Sequence, residues 1–529
     1  MKKIILQLLF ILIIFISAVG QNQNISNGIV FDGEPYLSIN PNNSQHIVVA
    51  WMDYAWVYQK IFIKTRVSFD GGLTWSLPVS ITHTNPNYGS ADPSLGFDSF
   101  GNVFLSYIDF DVSIDSGSVY VRKSIDGGLN WGIPAEVINV HSDGDKKPVD
   151  RPWIIIDRSG GPHNGNIYIT TMNPNVFGTI PPPYNPYFIR STNGGISFDQ
   201  WRYIDTTGWL AGTIIPQPTP FSTISQNGKF YCVYPSWVLS QNLNPQFILA
   251  SSDNAGNSFT YKKIIELPYN IIVSDTLIKK GYPLIADPTD TNHLVFFELI
   301  TPYGDADVFM WETYDGGITW SNSIRINDDP VDNNRMQDLI WADFDTDGDL
   351  VVSWRDRRNA PDSNYATSSE IWGAARYKDS TNFSPNFRIS DTIVNYDSVL
   401  AQVGNDFMCI KLINDTLSVV WGDVRTGWLN IWFQRMTLNG AIVSVYQLAS
   451  ENIPSAKIFP NPITNSIFIE AKKMKQVTIY DLNGNIVLIR DITQKEENTI
   501  IDLTQLLKGT YLIGIITEDG IMTKKIIKQ

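Results

Sequence analysis

Ser68-Phe69-Asp70-Gly71-Gly72-Leu73-Thr74-Trp75 returns with little change as Ser124-Ile125-Asp126-Gly127-Gly128-Leu129-Asn130-Trp131 and as Thr313-Tyr314-Asp315-Gly316-Gly317-Ile318-Thr319-Trp320. Weaker copies run from Ser191 through Asn193 to Phe198 and from Ser252 through Asn254 to Phe259. Each sets a hydroxyl, an acid or amide, glycine and an aromatic in the order that a tight turn between two strands needs. The Asp or Asn side chain bonds backbone N–H groups, glycine supplies a positive φ, and the aromatic covers the turn. The copies recur every 56 to 67 residues, which suits one four-stranded propeller blade with generous loops. Asp70, Asp126, Asn193, Asn254 and Asp315 therefore read as structural.

A second motif precedes each turn: an extended segment, a polar turn, then a β-rich strand ending in an aromatic and a polar residue. Asp92-Pro93 leads in this way to Tyr107-Ile108-Asp109, and Pro152 leads through Asp157 to Tyr168. The run from Pro35 through Pro41 to Trp51-Met52-Asp53 matches the run from Pro283 through Pro288 to Glu298. Units begin near residues 34, 91, 150, 218, 281, 337 and 403, which gives seven blades, with six as the alternative. Short β-rich runs, frequent Gly, Pro, Asn and Asp, and no sustained helical period make the chain all-β.

The two ends read differently. Lys2 and Lys3 precede an apolar run from Ile4 to Val19, the pattern of a signal peptide over residues 1–20, with the mature chain expected to begin near Gln21. No later stretch is long and apolar enough to span a bilayer. The formal charge is −14, and its acidic excess sits in residues 21–450, with 27 bases against 44 acids. Such a surface excludes nucleic acid as a partner, because phosphate binding relies on clustered Lys and Arg. Cys232 and Cys409 fall in separate repeats and are expected as free, buried thiols. Five scattered histidines give no metal-binding spacing.

The repeated turns resemble the Asp boxes, or BNR repeats, of the sialidase superfamily. The resemblance covers roughly residues 34–450 and implies a sialidase-like β-propeller after an N-terminal segment, residues 21–33. After a linker at 451–457, residues 458–529 resemble a type A C-terminal sorting domain of the type IX secretion system. The residues that carry this are Ile458-Phe459-Pro460-Asn461-Pro462, Val477-Thr478-Ile479-Tyr480-Asp481-Leu482-Asn483-Gly484, Leu507-Lys508-Gly509-Thr510-Tyr511 and the basic end Lys524 to Lys528. Read without the family, the tail is a small, Ig-like β-sandwich with Asn483-Gly484 as a hairpin turn. The resemblance implies Sec export, passage through the outer membrane by the type IX machinery, and release or attachment at the cell surface.

Antiparallel pairing places the start of each blade's innermost strand and the end of its second strand at one edge, with the Asp box at the other. Candidate site residues are then Glu34, Asp92, Asp150 and Arg151 from the starts. From the ends come Asp53, Asp109, Glu298, Arg355, Asp356, Arg357, Asp423 and Arg425. Trp354-Arg355-Asp356-Arg357 and Trp421-Gly422-Asp423-Val424-Arg425 repeat a tryptophan, aspartate and arginine pattern one blade apart. Arginine grips carboxylates through paired hydrogen bonds, so the pattern suits either an acidic sugar or a brace within each blade. Glu298 breaks the pattern by replacing an aromatic, and such breaks mark candidate acid/base positions.

The sialidase family uses an arginine triad, a tyrosine nucleophile with an activating glutamate, and an aspartate acid/base. By position the resemblance implies Arg357 and Arg425 as triad members, Asp92 as acid/base and Glu298 as the activating carboxylate. The family's first arginine, in an Arg-Ile-Pro motif, is replaced here by Glu34-Pro35-Tyr36, and Arg151 supplies one only from another blade. Loops Asn173–Tyr187 and Asn359–Glu370 cap the same mouth. Asp343, Asp345 and Asp347 resemble the start of a calcium loop, although Trp354 takes the place of its final glutamate. Otherwise no cofactor is expected. The readings left open are an exported, monomeric propeller that recognises an extracellular glycan, glycoprotein or other protein without turnover, an exo-sialidase-type hydrolase of terminal acidic sugars, and a structural or adhesion module.

Overall fold

A computed structural model describes residues 22–174, 180–205, 214–215, 217–241, 244–273, 277–400, 404–441, 456–481, 486–492, 498–517 and 520–529. The signal segment, most of the 451–457 linker, part of the 173–187 loop and the Asn483-Gly484 turn lie outside them. The chain divides into two compact units near residue 442, and each is described by itself.

The first unit is a propeller of seven four-stranded antiparallel sheets. Their inner strands are Asp32–Asn40, Gly89–Phe97, Asp150–Ile156, Phe221–Ile224, Leu284–Ala286, Gln337–Phe344 and Cys409–Ile413. Each inner strand packs on the next and the seventh packs on the first, so the ring is closed. Blades 1 to 6 are built from consecutive strands. In blade 7 the outermost strand is Gln23–Asn24, which pairs with Asn430–Thr437 and so joins the two ends of the ring.

The Asp boxes close the turn between third and fourth strands, with one bonding scheme throughout. Ser68 Oγ donates to Asp70 Oδ1 at 2.8 Å and accepts from the Gly72 N–H at 2.7 Å, while Asp70 Oδ1 accepts from the Thr74 N–H at 2.9 Å. Asp126, Asn193, Asn254 and Asp315 accept the corresponding N–H of Asn130, Ser197, Ser258 and Thr319. The second glycine does more than turn the chain. Gly72 has φ +88°, and a Cβ there would lie 2.3 Å from the Phe433 ring of blade 7. Gly256 meets Phe188, and Gly317 meets Leu249, in the same way. Each of these turns is therefore also a clasp onto the preceding blade, where a side chain would not fit.

Five inward aromatics fill the axis. Trp153 of blade 3 lies 5.8 Å from Tyr36 of blade 1, 5.7 Å from Phe221 of blade 4, 5.8 Å from Trp341 of blade 6 and 4.9 Å from Phe407 of blade 7. Contacts across the ring mean that apolar side chains occupy its centre. Cys232 and Cys409 are free and buried.

The second unit packs a three-stranded sheet (Ala456–Phe459, Ser466–Ala471, Asn498–Asp502) with a four-stranded one (Ile486–Asp491, Met474–Tyr480, Gly509–Thr517, Gly520–Lys528). Alternating Ile467, Ile469, Val477, Ile479, Ile513 and Ile515 form its core, as expected for a small sandwich.

Candidate functional site at the mouth of the ring

Directly before the aromatic plug, four inner strands carry a bulge whose first residue has positive φ: Glu34 (50°), Asp92 (53°), Arg151 (48°) and Leu339 (60°). Non-glycine residues adopt this conformation at some cost, so its recurrence shows the ring holding it in place. In three of the four the next residue is proline, which has no N–H to lose from the ladder. The bulges gather Glu34, Asp92, Asp150 and Arg151 at one mouth.

The Arg151 guanidinium donates to Asp406 at 2.9 Å, its backbone N–H donates to Asp92 at 2.9 Å, and Lys279 also donates to Asp406. Gln217 donates to Asp150 at 3.1 Å. Burial pushes the Glu34 carboxyl up, with Asp92 and Asp406 adding to it, and burial and Asp92 do the same to Asp150. Excess negative charge is relieved on those two groups. Burial works against charge on Arg151, but Asp406, Asp150, Glu34 and Asp92 outweigh it and hold the side chain protonated. Asp406 is held below the usual carboxylate range, because Arg151 and Lys279 more than offset its burial.

The guanidiniums expected to form a triad have separate partners. Arg151 pairs with Asp406, Arg357 with Asp338 at 3.1 Å, and Arg425 with Asp423 and Asp391, both at 2.5 Å. Arg355 shares Asp338 with Arg357. The tryptophan pattern also aligns one residue differently than expected. Arg358, not Arg357, matches Arg425: each donates to the aspartate two residues earlier, and each lies 4.1 Å over a tryptophan of the next strand, Trp372 or Trp432. Asp356 and Asp423 in turn accept from Trp354 and Trp421. Each arginine also reaches the preceding blade, Arg358 to Asp328 and Arg425 to Asp391.

Of the remaining candidates, two are engaged and Glu298 is not. Asp53 pairs with Lys64 at 2.8 Å, and Asp109 accepts from His83, Thr84 and Ser90. Glu298 is buried with Oε2 unpartnered, and burial pushes its carboxyl up to about 8, opposed by Lys280. Two cavities open at this mouth among the described residues. One, beside Arg151, Trp153, Phe221 and Trp341, is about 10 Å³, and the other, beside Arg355, Glu370 and Asp423, is about 20 Å³.

The calcium reading needs a different set of residues. Asp343 pairs with Lys411 at 2.8 Å, and Asp345 accepts backbone N–H groups of Asn414 and Asp415 from the neighbouring blade. Only Asp347 joins a cluster, with Asp349 and Asp415, whose oxygens lie within 4.8 Å of one another at the opposite edge.

Asp406, Lys279, Asp338 and Arg358 escaped the sequence reading. Asp406 had a usable signal, since it stands directly before the plug residue Phe407, much as Glu34 and Arg151 precede Tyr36 and Trp153. Strict spacing of the tryptophan pattern would have selected Arg358.

Residues 457–529 match the family described as the secretion system C-terminal sorting domain. No curated protein matches the chain. Similar solved structures include an α-L-arabinofuranosidase of Fusarium graminearum in complex with arabinobiose (12% identity, 79% of this chain and 98% of that one, TM-score 0.44). Others are the phage phi92 endosialidase (11%, 97% and 79%, 0.43) and a sialidase from Streptococcus pneumoniae (13%, 80% and 70%, 0.39). Likeness of this degree says nothing of chemistry, and the architecture rests on the strand order itself. No helix among the described residues is long and apolar enough to cross a membrane. Through its tail the protein engages a secretion machinery: it is a β-propeller exported to the cell surface or extracellular space by a type IX C-terminal sorting domain.

Proposed function

We propose that the exported propeller recognises an extracellular glycan or glycoprotein with the mouth edge of its blades and does not turn it over. One observation carries this reading: the three arginines that a hydrolase of acidic sugars would need free are bonded to internal carboxylates above a filled axis. Arg151, Arg357 and Arg425 each hold an internal carboxylate, and Trp153 with its ring neighbours fills the axis beneath them. A retaining or inverting glycosidase needs an acid and a nucleophile or base flanking the scissile bond, with room for the sugar between them. The mouth instead offers a rigid polar rim and exposed loop tips, which suit surface binding.

The test is a panel of fluorogenic glycosides, including sialosides and arabinosides, run beside a glycan array. Silence across the panel together with binding on the array is the expected result. Release of fluorophore that Arg425→Ala abolishes would establish the hydrolase reading, and silence in both assays would favour a structural module.

A further inference from the structure

The loops between second and third strands open on the mouth edge, and two of them carry large exposed rings. Trp56 and Tyr58, 65% and 67% exposed, stand on the blade 1 loop, and Trp428, 50% exposed, stands on the loop of blade 7. Ring closure makes these blades neighbours, and both loops are bonded to one segment. Phe31 bridges in parallel to Leu429, the Asp32 N–H donates to the Leu429 carbonyl at 2.8 Å, and the Tyr54 N–H donates to the Phe31 carbonyl at 2.9 Å. The turns themselves are closed, by Tyr58 N–H to Ala55 O at 3.0 Å and Gly427 N–H to Val424 O at 2.9 Å. Three large aromatics are thus carried by anchored turns on one stretch of edge.

The chemistry around them selects an occupant. Nearby cations are already engaged: Lys64 with Asp53, Arg425 with Asp423 and Asp391, and Lys60 with the Pro86 carbonyl. An acidic ligand would find no free guanidinium there and would face a chain of net charge −14. Beside the loop of Trp428, Asn24, Asn27 and Thr426 present amides and a hydroxyl, held in place by the buried Asn430, whose Oδ1 accepts from Asn24 Nδ2 at 2.8 Å and from Thr426 Oγ1 at 3.0 Å. Flat apolar faces edged by neutral hydrogen-bonding groups match a sugar, whose ring has an apolar face and a hydroxyl rim.

We propose that Trp56, Tyr58 and Trp428 form a stacking platform for an uncharged glycan chain. This rests on the recognition function proposed above and assigns it a place and a ligand class: neutral rather than sialylated or uronic sugars. Binding would come from ring stacking, so it is insensitive to salt.

The experiment uses the exported protein in affinity electrophoresis and calorimetry. One set of probes is neutral (xyloglucan, galactomannan, arabinan, mixed-linkage β-glucan) and the other acidic (polygalacturonate, polysialic acid, chondroitin sulfate). Wild type is expected to bind at least one neutral polysaccharide, with affinity changing less than twofold between 50 and 500 mM salt. Trp56→Ala and Trp428→Ala should each weaken that binding at least tenfold without moving the urea midpoint. Leu77→Ala, at an exposed apolar residue just beyond the Asp box, should leave it unchanged. Neutral-glycan binding that survives both tryptophan substitutions would overturn the platform while leaving glycan recognition standing. Binding confined to the acidic probes would overturn the ligand class. No binding to either set would remove the platform and the recognition function together, and tryptophan-dependent binding of a protein instead would assign the platform to a protein partner.

Discussion

Glu298 stands where blade 1 has the buried Trp51, and it brings a carboxyl into a place built for an indole. Its neutral form is favoured in the folded protein, with the carboxyl pushed to about 8 by burial, while an unfolded chain titrates near the ordinary 4.3. Folded protein therefore binds this proton more tightly than unfolded protein does. The associated stability is fully present below about pH 4 and is lost as pH rises through about 8, at roughly 1.4 kcal/mol per unit of displacement as an upper bound. Glu298→Gln, which keeps the shape and removes the ionisation, is expected to flatten that dependence. Urea midpoints of both proteins at pH 5 and pH 8.5 check it: the variant should gain relative to wild type only at the higher pH. Asp338 illustrates the opposite case, held far below its ordinary range because Arg355 and Arg357 together outweigh its burial.

At the scale of the element, the Asp box is a turn and an inter-blade clasp at once. Its acid accepts N–H groups that the turn would otherwise leave unbonded, and its second glycine lets the backbone rest on the preceding blade. Asn193 and Asn254 already serve in two boxes, with side-chain oxygens accepting the same N–H. Asp126→Asn is accordingly expected to be nearly neutral, whereas Asp126→Ala should cost about 1 kcal/mol from the lost turn bonds. Gly128→Ala should cost more, because the added carbon meets Val48 and Val67 at 3.1 Å and the residue has φ +97°. Denaturant unfolding of the three variants tests this ordering, and an alanine at 126 that behaves like wild type would contradict it.

Across the whole molecule, the first described residues close the ring. Asn22 donates to the Ile389 carbonyl and to Gln434, its backbone N–H donates to Asp391, and Ile25 is 1% exposed in the core. Signal cleavage near Gln21 would leave this strand whole. Deleting residues 22–27 removes a buried isoleucine and several buried hydrogen bonds, an expected loss of about 3–5 kcal/mol. A lowered urea midpoint, with faster proteolysis of blade 7, is the outcome to look for. The sorting tail is a separate unit with its own core, so its removal should stop export without unfolding the propeller.

The repeat of hydroxyl, acid, glycine and aromatic, present in five copies, was enough to read the all-β class and the edge on which each loop falls, and the strand-pair motif before it favoured seven blades over six. Turn chemistry is local, and antiparallel pairing then dictates which strand ends share an edge. The secretion tail was legible for the same reason, as short motifs in order. Partnership at the mouth was not. Whether Arg151 faces a ligand or Asp406, which stands 255 positions away, depends on seven inner strands closing in one ring. The same closure brings Trp56 beside the loop of Trp428 and fills the axis with Trp153 and its neighbours. Only the closed ring, through contacts between residues hundreds of positions apart, decided that Arg151 meets an internal carboxylate and that the exposed aromatics share an edge.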